Sequence, residues 1–221
     1  MRRIIGSAFV SLDGVMQAPG APEEDRSGGF ALGGWMAGYF DAAVGERIEA
    51  LFDGPFDLLL GRRTYDIFAA YWPFARGDNA SIGRRFDSAA KYVLTRGDGE
   101  LSWENSRRLP GLDALAEVKG GDGPPLLIQG SATLYPQLLA AGLVDRLVVM
   151  TFPVLLGGGK RLFGDGTPPR SMRMVEHQVT PTGTVIAAYE PGGEVVPGSF
   201  ATEPPSPAEL HRRARIEQGT W

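Results

Sequence analysis

Short apolar runs alternate with helix-period stretches from Ile4 to about Pro191, and this alternation restricts the fold more than any other feature of the chain. "IIGSAFVSL", "DLLLG", "KYVLT", "PLLIQG" and "DRLVVMTFPV" read as strands. Between them lie four helical patterns. "YFDAAVGERIEALF" has Asp41 near its start, "RTYDIFAAYW" is stopped by Pro73, "LDALAEVK" is closed by Gly120-Gly121, and "SATLYPQLLAAG" is capped by Ser131 and ended by Gly142. Pro136 falls in the second turn of the last, where a local distortion is expected. Strands and helices in this order predict an α/β domain with a mixed, mainly parallel sheet and flanking helices.

After Gly157 the pattern changes. "SMRMVEHQVT" and "GTVIAAYEP" are strand-like with Pro181-Thr182-Gly183 between them, the signature of a hairpin that finishes the sheet antiparallel. From Gly192 onward the chain is rich in Pro and Gly and lacks periodicity. The expected organisation is a domain over residues 1–191 and an arm over 192–221. Within the arm, Ser206, Pro207 and Glu209 open a short helix as a capping box. That helix either docks on something, such as a second subunit, or stays solvated.

Composition narrows the chemistry. A formal charge of −4 argues against nucleic acid as the main partner, since a binder of phosphate backbones normally presents a basic face. The absence of cysteine excludes disulfides, thiol nucleophiles and thiolate metal sites. "MRRIIGSAFVSLDG" is a poor signal peptide, and no run approaches the roughly 18 apolar residues of a membrane span. A cytoplasmic, non-membrane protein is expected.

Several glycine motifs fail on inspection. "LLGGGKRLFG" has Val154 where a Walker A loop needs glycine and Arg161 where it needs Ser or Thr, and it has Leu162 at the last position of a dinucleotide fingerprint. "QGSAT" lacks the second glycine of a nucleophile elbow. His177 and His211 have no carboxylate or second histidine at ligand spacing, so no metal site is expected. What remains are three strand ends suited to anions. In "GRRT", Gly61 turns the chain and Arg62, Arg63 and Thr64 open a helix whose free N–H groups attract phosphate. Thr95-Arg96 ends the next strand. "IQGSAT" supplies Gly130 for close backbone approach and Ser131 and Thr133 as hydroxyl donors. Ligands of open α/β sheets collect at the carboxyl ends of strands, so one extended ligand with several phosphates explains all three.

"SAFVSLDGVM", "LLLGRRTY", "VLTR" and "LLIQGSATLYPQLLAAGLVDRLVVMTFPVLLGGGKRLF", in that order, resemble the dihydrofolate reductase-like superfamily. The resemblance is to the branch related to the C-terminal reductase domain of the bacterial riboflavin-biosynthesis deaminase/reductase, and it runs from about Arg2 to Glu190. It implies a dihydrofolate reductase-like three-layer fold, NADPH held without a G-x-G-x-x-G fingerprint, and a homodimer. By position, Gly61, Arg62, Arg63 and Thr64 resemble the turn that receives the cofactor phosphates, and Thr95 and Arg96 the clamp on the adenosine 2′-phosphate. Gln129, Gly130, Ser131, Ala132 and Thr133 resemble the helix start under the pyrophosphate. On the substrate side the resemblance places Asp13 of "SLDG" by the pocket as a substrate-binding or proton-handling carboxylate; a turn-making aspartate before Gly14 is the alternative. Trp35, in the long loop "RSGGFALGGWMAGYF", is a candidate wall against an aromatic ring or an anchor for the loop. Asp41 is a second candidate carboxylate, or a helix cap. The implied activity is hydride transfer from NADPH to a small heterocyclic substrate, pterin- or ribosylaminopyrimidine-like, or to a carbonyl; the alternative is an NADP(H)-binding sensor without turnover.

Overall fold

A computed structural model describes residues 1–220. One sheet of eight strands carries the domain: β1 (Ile4–Ser11), β2 (Asp57–Gly61), β3 (Lys91–Leu94), β4 (Ser106–Leu109), β5 (Leu126–Gln129), β6 (Arg146–Phe152), β7 (Ser171–Val179) and β8 (Val185–Gly193). Their spatial order is β4-β3-β2-β5-β1-β6-β8-β7. The first six run parallel, and β8 and β7 close the sheet antiparallel. The helices are α1 (Ala42–Leu51), α2 (Arg62–Tyr71), α3 (Ala80–Ser88), α4 (Leu112–Gly120), α5 (Leu134–Ala140) and α6 (Pro207–Glu217).

The central strands are apolar on both sides because both sides are covered. In β2, Leu59 packs with α4 and α5 through a cluster that includes Leu115, Leu134 and Tyr135, while Leu58 and Leu60 pack on the opposite face with Tyr65 of α2 and Phe86 of α3. A third cluster on that second face, around Val148, Met150, Phe152 and Val44, seats α1 against β6.

Four local features differ from the sequence reading. α5 starts at Leu134 rather than at Ser131, so Pro136 sits in its first turn, where its missing N–H has no helical partner to lose. The sequence reading places no element at α3 or β4, although Ile82 and Phe86 give α3 an apolar face; "SRRL" is a strand because β3 offers it a parallel edge. β8 continues through Pro191 to Gly193, so the arm begins at Glu194. In that arm α6 is capped by Ser206, whose side chain accepts from the Glu209 N–H at 3.3 Å.

Candidate functional site

The sheet order sets the carboxyl end of β2 between those of β3 and β5, so the three anion-suited turns stand side by side. Two of them are bonded to each other. The Gly61 N–H donates to Ser131 Oγ at 2.8 Å, and that hydroxyl donates to Thr64 Oγ1 at 2.8 Å. Ser131 is held at φ +67, a left-handed conformation that few non-glycine residues adopt, and these two bonds offset its cost. Gly130 beside it has φ +73, and a Cβ there would lie 3.2 Å from Thr64 Cγ2, so the two turns approach as closely as they do because no side chain intervenes. The third turn joins through Arg62, whose Nη1 donates to the Gly99 carbonyl at 2.7 Å.

The two arginines of the first turn divide their work. Arg62 is committed to the protein: it pairs with Asp66 at 2.9 Å and stacks over the Tyr65 ring. Arg63 is exposed and, like Arg96, makes no hydrogen bond or ion pair with any described residue. No side chain caps the N-terminus of α2. The first helical turn therefore offers unclaimed N–H groups beside one free guanidinium, with a second on the neighbouring strand end. Thr95 Oγ1 accepts from the Gly97 N–H at 3.2 Å, shaping that second turn.

The "IQGSAT" turn departs from its expected part. Ala132 packs against the apolar cluster beneath α5, and Ser131 is spent on Gly61 and Thr64. Thr133 is exposed, and its carbonyl accepts from Gln137 Nε2. Gln129 is buried in register with Ser7 of β1, so its side chain lies on the sheet face rather than at the turn.

Arg63 also lines an open cleft of about 610 Å³. Its other walls are Gln17 and Ser27–Leu32 on one loop and Leu156 with Gly158–Lys160 on another. These loops are knitted together. Lys160 N–H donates to Gln17 Oε1 at 3.0 Å, Gln17 Nε2 donates to the Asp25 and Ser27 carbonyls, and the Lys160 ammonium bonds Asp25 and Ser27 Oγ. Burial raises the Asp25 pKa, but the bonds from Lys160 and Ser27 outweigh it and leave the carboxyl below its ordinary value. The run "GGGK", which matched no phosphate-loop pattern, is thus one wall of the cleft. A glycine run with one lysine is too common a pattern to have announced it.

Asp13 and Asp41 sit outside this lining, each fully occupied. Asp13 accepts from Ser11 Oγ at 2.6 Å and from the Leu156 and Gly157 N–H groups at 3.1 and 2.8 Å, and its backbone carbonyl accepts from Arg161. The Ser11 bond first, then the backbone donors, hold its pKa down to about 2. It fastens the end of β1 to the cleft wall and at neutral pH carries no proton to give. Asp41 caps α1 through the Val44 N–H at 2.9 Å and accepts from the Thr182 N–H and Oγ1, so it too is held at about 2, first by Val44 and then by Thr182. Trp35 anchors its loop: its indole N–H donates to the Gln17 carbonyl at 2.8 Å and its ring meets Phe152 edge-on at 5.6 Å. Phe30, not Trp35, is the aromatic residue in the cleft.

An eight-stranded, mainly parallel sheet with an antiparallel end and flanking helices defines an α/β protein of the dihydrofolate reductase-like fold. Comparison with solved structures agrees. The fold is similar to that of a riboflavin-biosynthesis-like protein from Shewanella sp. PV-4, at TM-score 0.64 and 22% identity over 86% of this chain and 98% of the other. It is also similar to a pyrimidine reductase-like protein from Corynebacterium diphtheriae, at TM-score 0.54 and 15% identity over 86% and 92% of the two chains. Dihydrofolate reductase from Enterococcus faecalis, complexed with NADP(H), aligns at TM-score 0.53 and 14% identity over 86% and 96%. The chain belongs to the RibD C-terminal domain family, which it matches over residues 2–186, and so to a family of reductase type. Among curated proteins it is 28% identical over 141 residues to the uncharacterized protein YyaP of Bacillus subtilis, covering 62% of this chain and 74% of that one.

Proposed function

We propose that the protein is an NADPH-dependent reductase of a small heterocyclic or carbonyl substrate. The observation that carries this reading is the row of three adjoining turns with an uncapped helix start and two unpaired guanidiniums, Arg63 and Arg96. The residues present fit the cofactor: the α2 N–H groups with Arg63 suit its pyrophosphate, and Arg96 with Thr95 suits the 2′-phosphate. The NADP(H) complex of the dihydrofolate reductase neighbour supports the same choice. When bound, NADPH supplies the hydride. The chain's own part is to bind, orient and exclude water: Phe30 gives the cleft an apolar surface, and Arg63 gives it an unpaired positive charge.

The commitment of Asp13 and Asp41 as acceptors favours a second reading, a sensor that binds NADP(H) without turning it over. Fluorescence titration with NADPH and NADH, on the wild type and on Arg96→Ala, tests the cofactor assignment. We expect NADPH to bind more tightly than NADH and the substitution to remove most of that preference, about tenfold or more for the loss of a charge-assisted phosphate contact. Equal weakening of both cofactors sinks the 2′-phosphate clamp. Tight NADPH binding with no oxidation across a panel of pterins, pyrimidines and carbonyls selects the sensor.

A further inference from the structure

One row of side chains crosses the second face of the sheet, the face that α1 and α2 cover. The strand registers align Val93 with Leu60, Ser7 with Gln129 and with Val148, and Val148 with Ala188. Since Leu59 pairs with Ile128, the next step along β2 and β5 sets Leu60 beside Gln129. The row is therefore Val93, Leu60, Gln129, Ser7, Val148, Ala188, apolar except for two adjacent polar residues at its centre. Both are buried, Ser7 at 3% and Gln129 at 7% exposure. Ser7 Oγ and Gln129 Nε2 are also without a hydrogen-bond partner, a condition few buried polar atoms tolerate. The two other such atoms among the described residues, Arg47 Nε and Thr184 Oγ1, lie on separate elements, α1 and the turn before β8.

The pair occupies a seam. Ile5, two residues before Ser7, packs with the cluster under α2 and α3, whereas Phe9, two residues after it, packs with the cluster around Phe152. Gln129 is the last residue of β5 and Gly130 opens the adjoining turn, which lies against Thr64 of the turn that carries Arg63.

We infer that Ser7 and Gln129 form a two-point contact for an amide group, a carboxamide or a ring lactam, on a ligand that enters the seam at the carboxyl end of β5. The chemistry is complementary: the Gln129 amino group donates to the amide oxygen, and the amide N–H donates to the Ser7 hydroxyl oxygen. The inference rests on the reductase reading, in which such a group belongs either to the nicotinamide ring of the cofactor or to a heterocyclic substrate.

The test compares wild type with Ser7→Ala, Gln129→Leu and the double variant, using NADPH, the reduced 3-acetylpyridine analogue of NADPH, and 7,8-dihydropterin as probes. Without ligand, the double variant is expected to melt a few degrees higher, because two unpaired buried polar groups are gone. A fall of about tenfold or more in NADPH affinity on Ser7→Ala, with the methyl-ketone analogue, which keeps the carbonyl and lacks the amide N–H, bound equally by wild type and that variant, assigns the amide to the cofactor. Unchanged NADPH binding with dihydropterin weakened about tenfold assigns it to the substrate. Unchanged affinity for both overturns the inference, and a lower melting temperature then identifies the pair as the seat of a buried water. Wild type that binds no NADPH defeats the cofactor reading separately, and dihydropterin binding alone then decides the amide contact.

Discussion

Asp13 illustrates how a conspicuous carboxylate is turned to a mechanical task. Its three acceptor bonds prefer the ionised form, which is why its pKa lies near 2 instead of the ordinary 3.8. Linkage then gives the sign. The unfolded chain takes up the proton near pH 3.8 and the folded chain near pH 2, so the stabilisation is present above about pH 4 and is lost as the pH falls through 2. Thermal melts of wild type and Asp13→Asn across this range are expected to show a gap that is constant above pH 4 and shrinks towards pH 2. A gap that stays constant down to pH 2 contradicts the assignment. No matching change is expected in a pH–activity profile between 5 and 8, because Asp13 does not titrate there. At this scale the sequence was legible for residue type and position but not for commitment. Nothing in "GRRT" distinguishes Arg62, braced on Asp66 and Gly99, from Arg63, free in the cleft; the difference comes from what the neighbouring β3 loop brings within reach.

At the scale of elements, the cleft wall is a small ladder between the segment after β1 and the segment after β6. Val15 bridges Arg161, the Met16 N–H donates to the Lys160 carbonyl, and the Leu162 N–H donates to the Gly14 carbonyl. These bonds make the wall a pre-formed part of the scaffold. Gly159 is its tightest point. It has φ +123, and a Cβ there would lie 2.6 Å from Val15 Cγ1 and 3.1 Å from the Phe30 ring. Gly159→Ala is therefore expected to cost about 2 kcal/mol or more, from backbone strain and overpacking together, and to weaken ligand binding as Phe30 moves. Urea unfolding with retained m-value and a lowered midpoint is the expected result; an unchanged midpoint shows that the ladder is looser than its contacts. Elements with strong periodicity, such as β1, β2 and α2, were readable in advance because local pattern and tertiary environment agree. β4 was not, because four residues with two exposed or half-exposed arginines become a strand only when β3 supplies an edge. The start of α5 was misplaced for a related reason: Ser131 looks like a cap, but its hydroxyl is drawn off to Gly61 and Thr64 across the sheet.

On the scale of the whole molecule, the domain and the arm are bonded differently. The hydrogen bonds of Ser199, Ser206, Glu209, Arg213, Arg215 and Thr220 stay within the arm, and α6 buries none of its residues. Val196 and Phe200 are fully or nearly fully exposed, and Leu210 and Ile216 of α6 are exposed as well. β7, at the edge of the sheet, adds exposed Met174 and Val179. An edge strand with apolar side chains and an apolar arm are both surfaces that proteins usually cover, and a second copy of the chain covers both at once. We therefore expect the full chain to sediment as a dimer and a chain ending at Gly193 to sediment as a monomer, or as a dimer that dissociates at much lower dilution. Because these bonds stay within the arm, truncation is expected to leave the circular dichroism of the body intact and NADPH binding unaltered. A full-length monomer whose mass and melting temperature ignore the truncation removes the dimer from consideration. Loss of fold on truncation instead shows that the arm packs on its own domain.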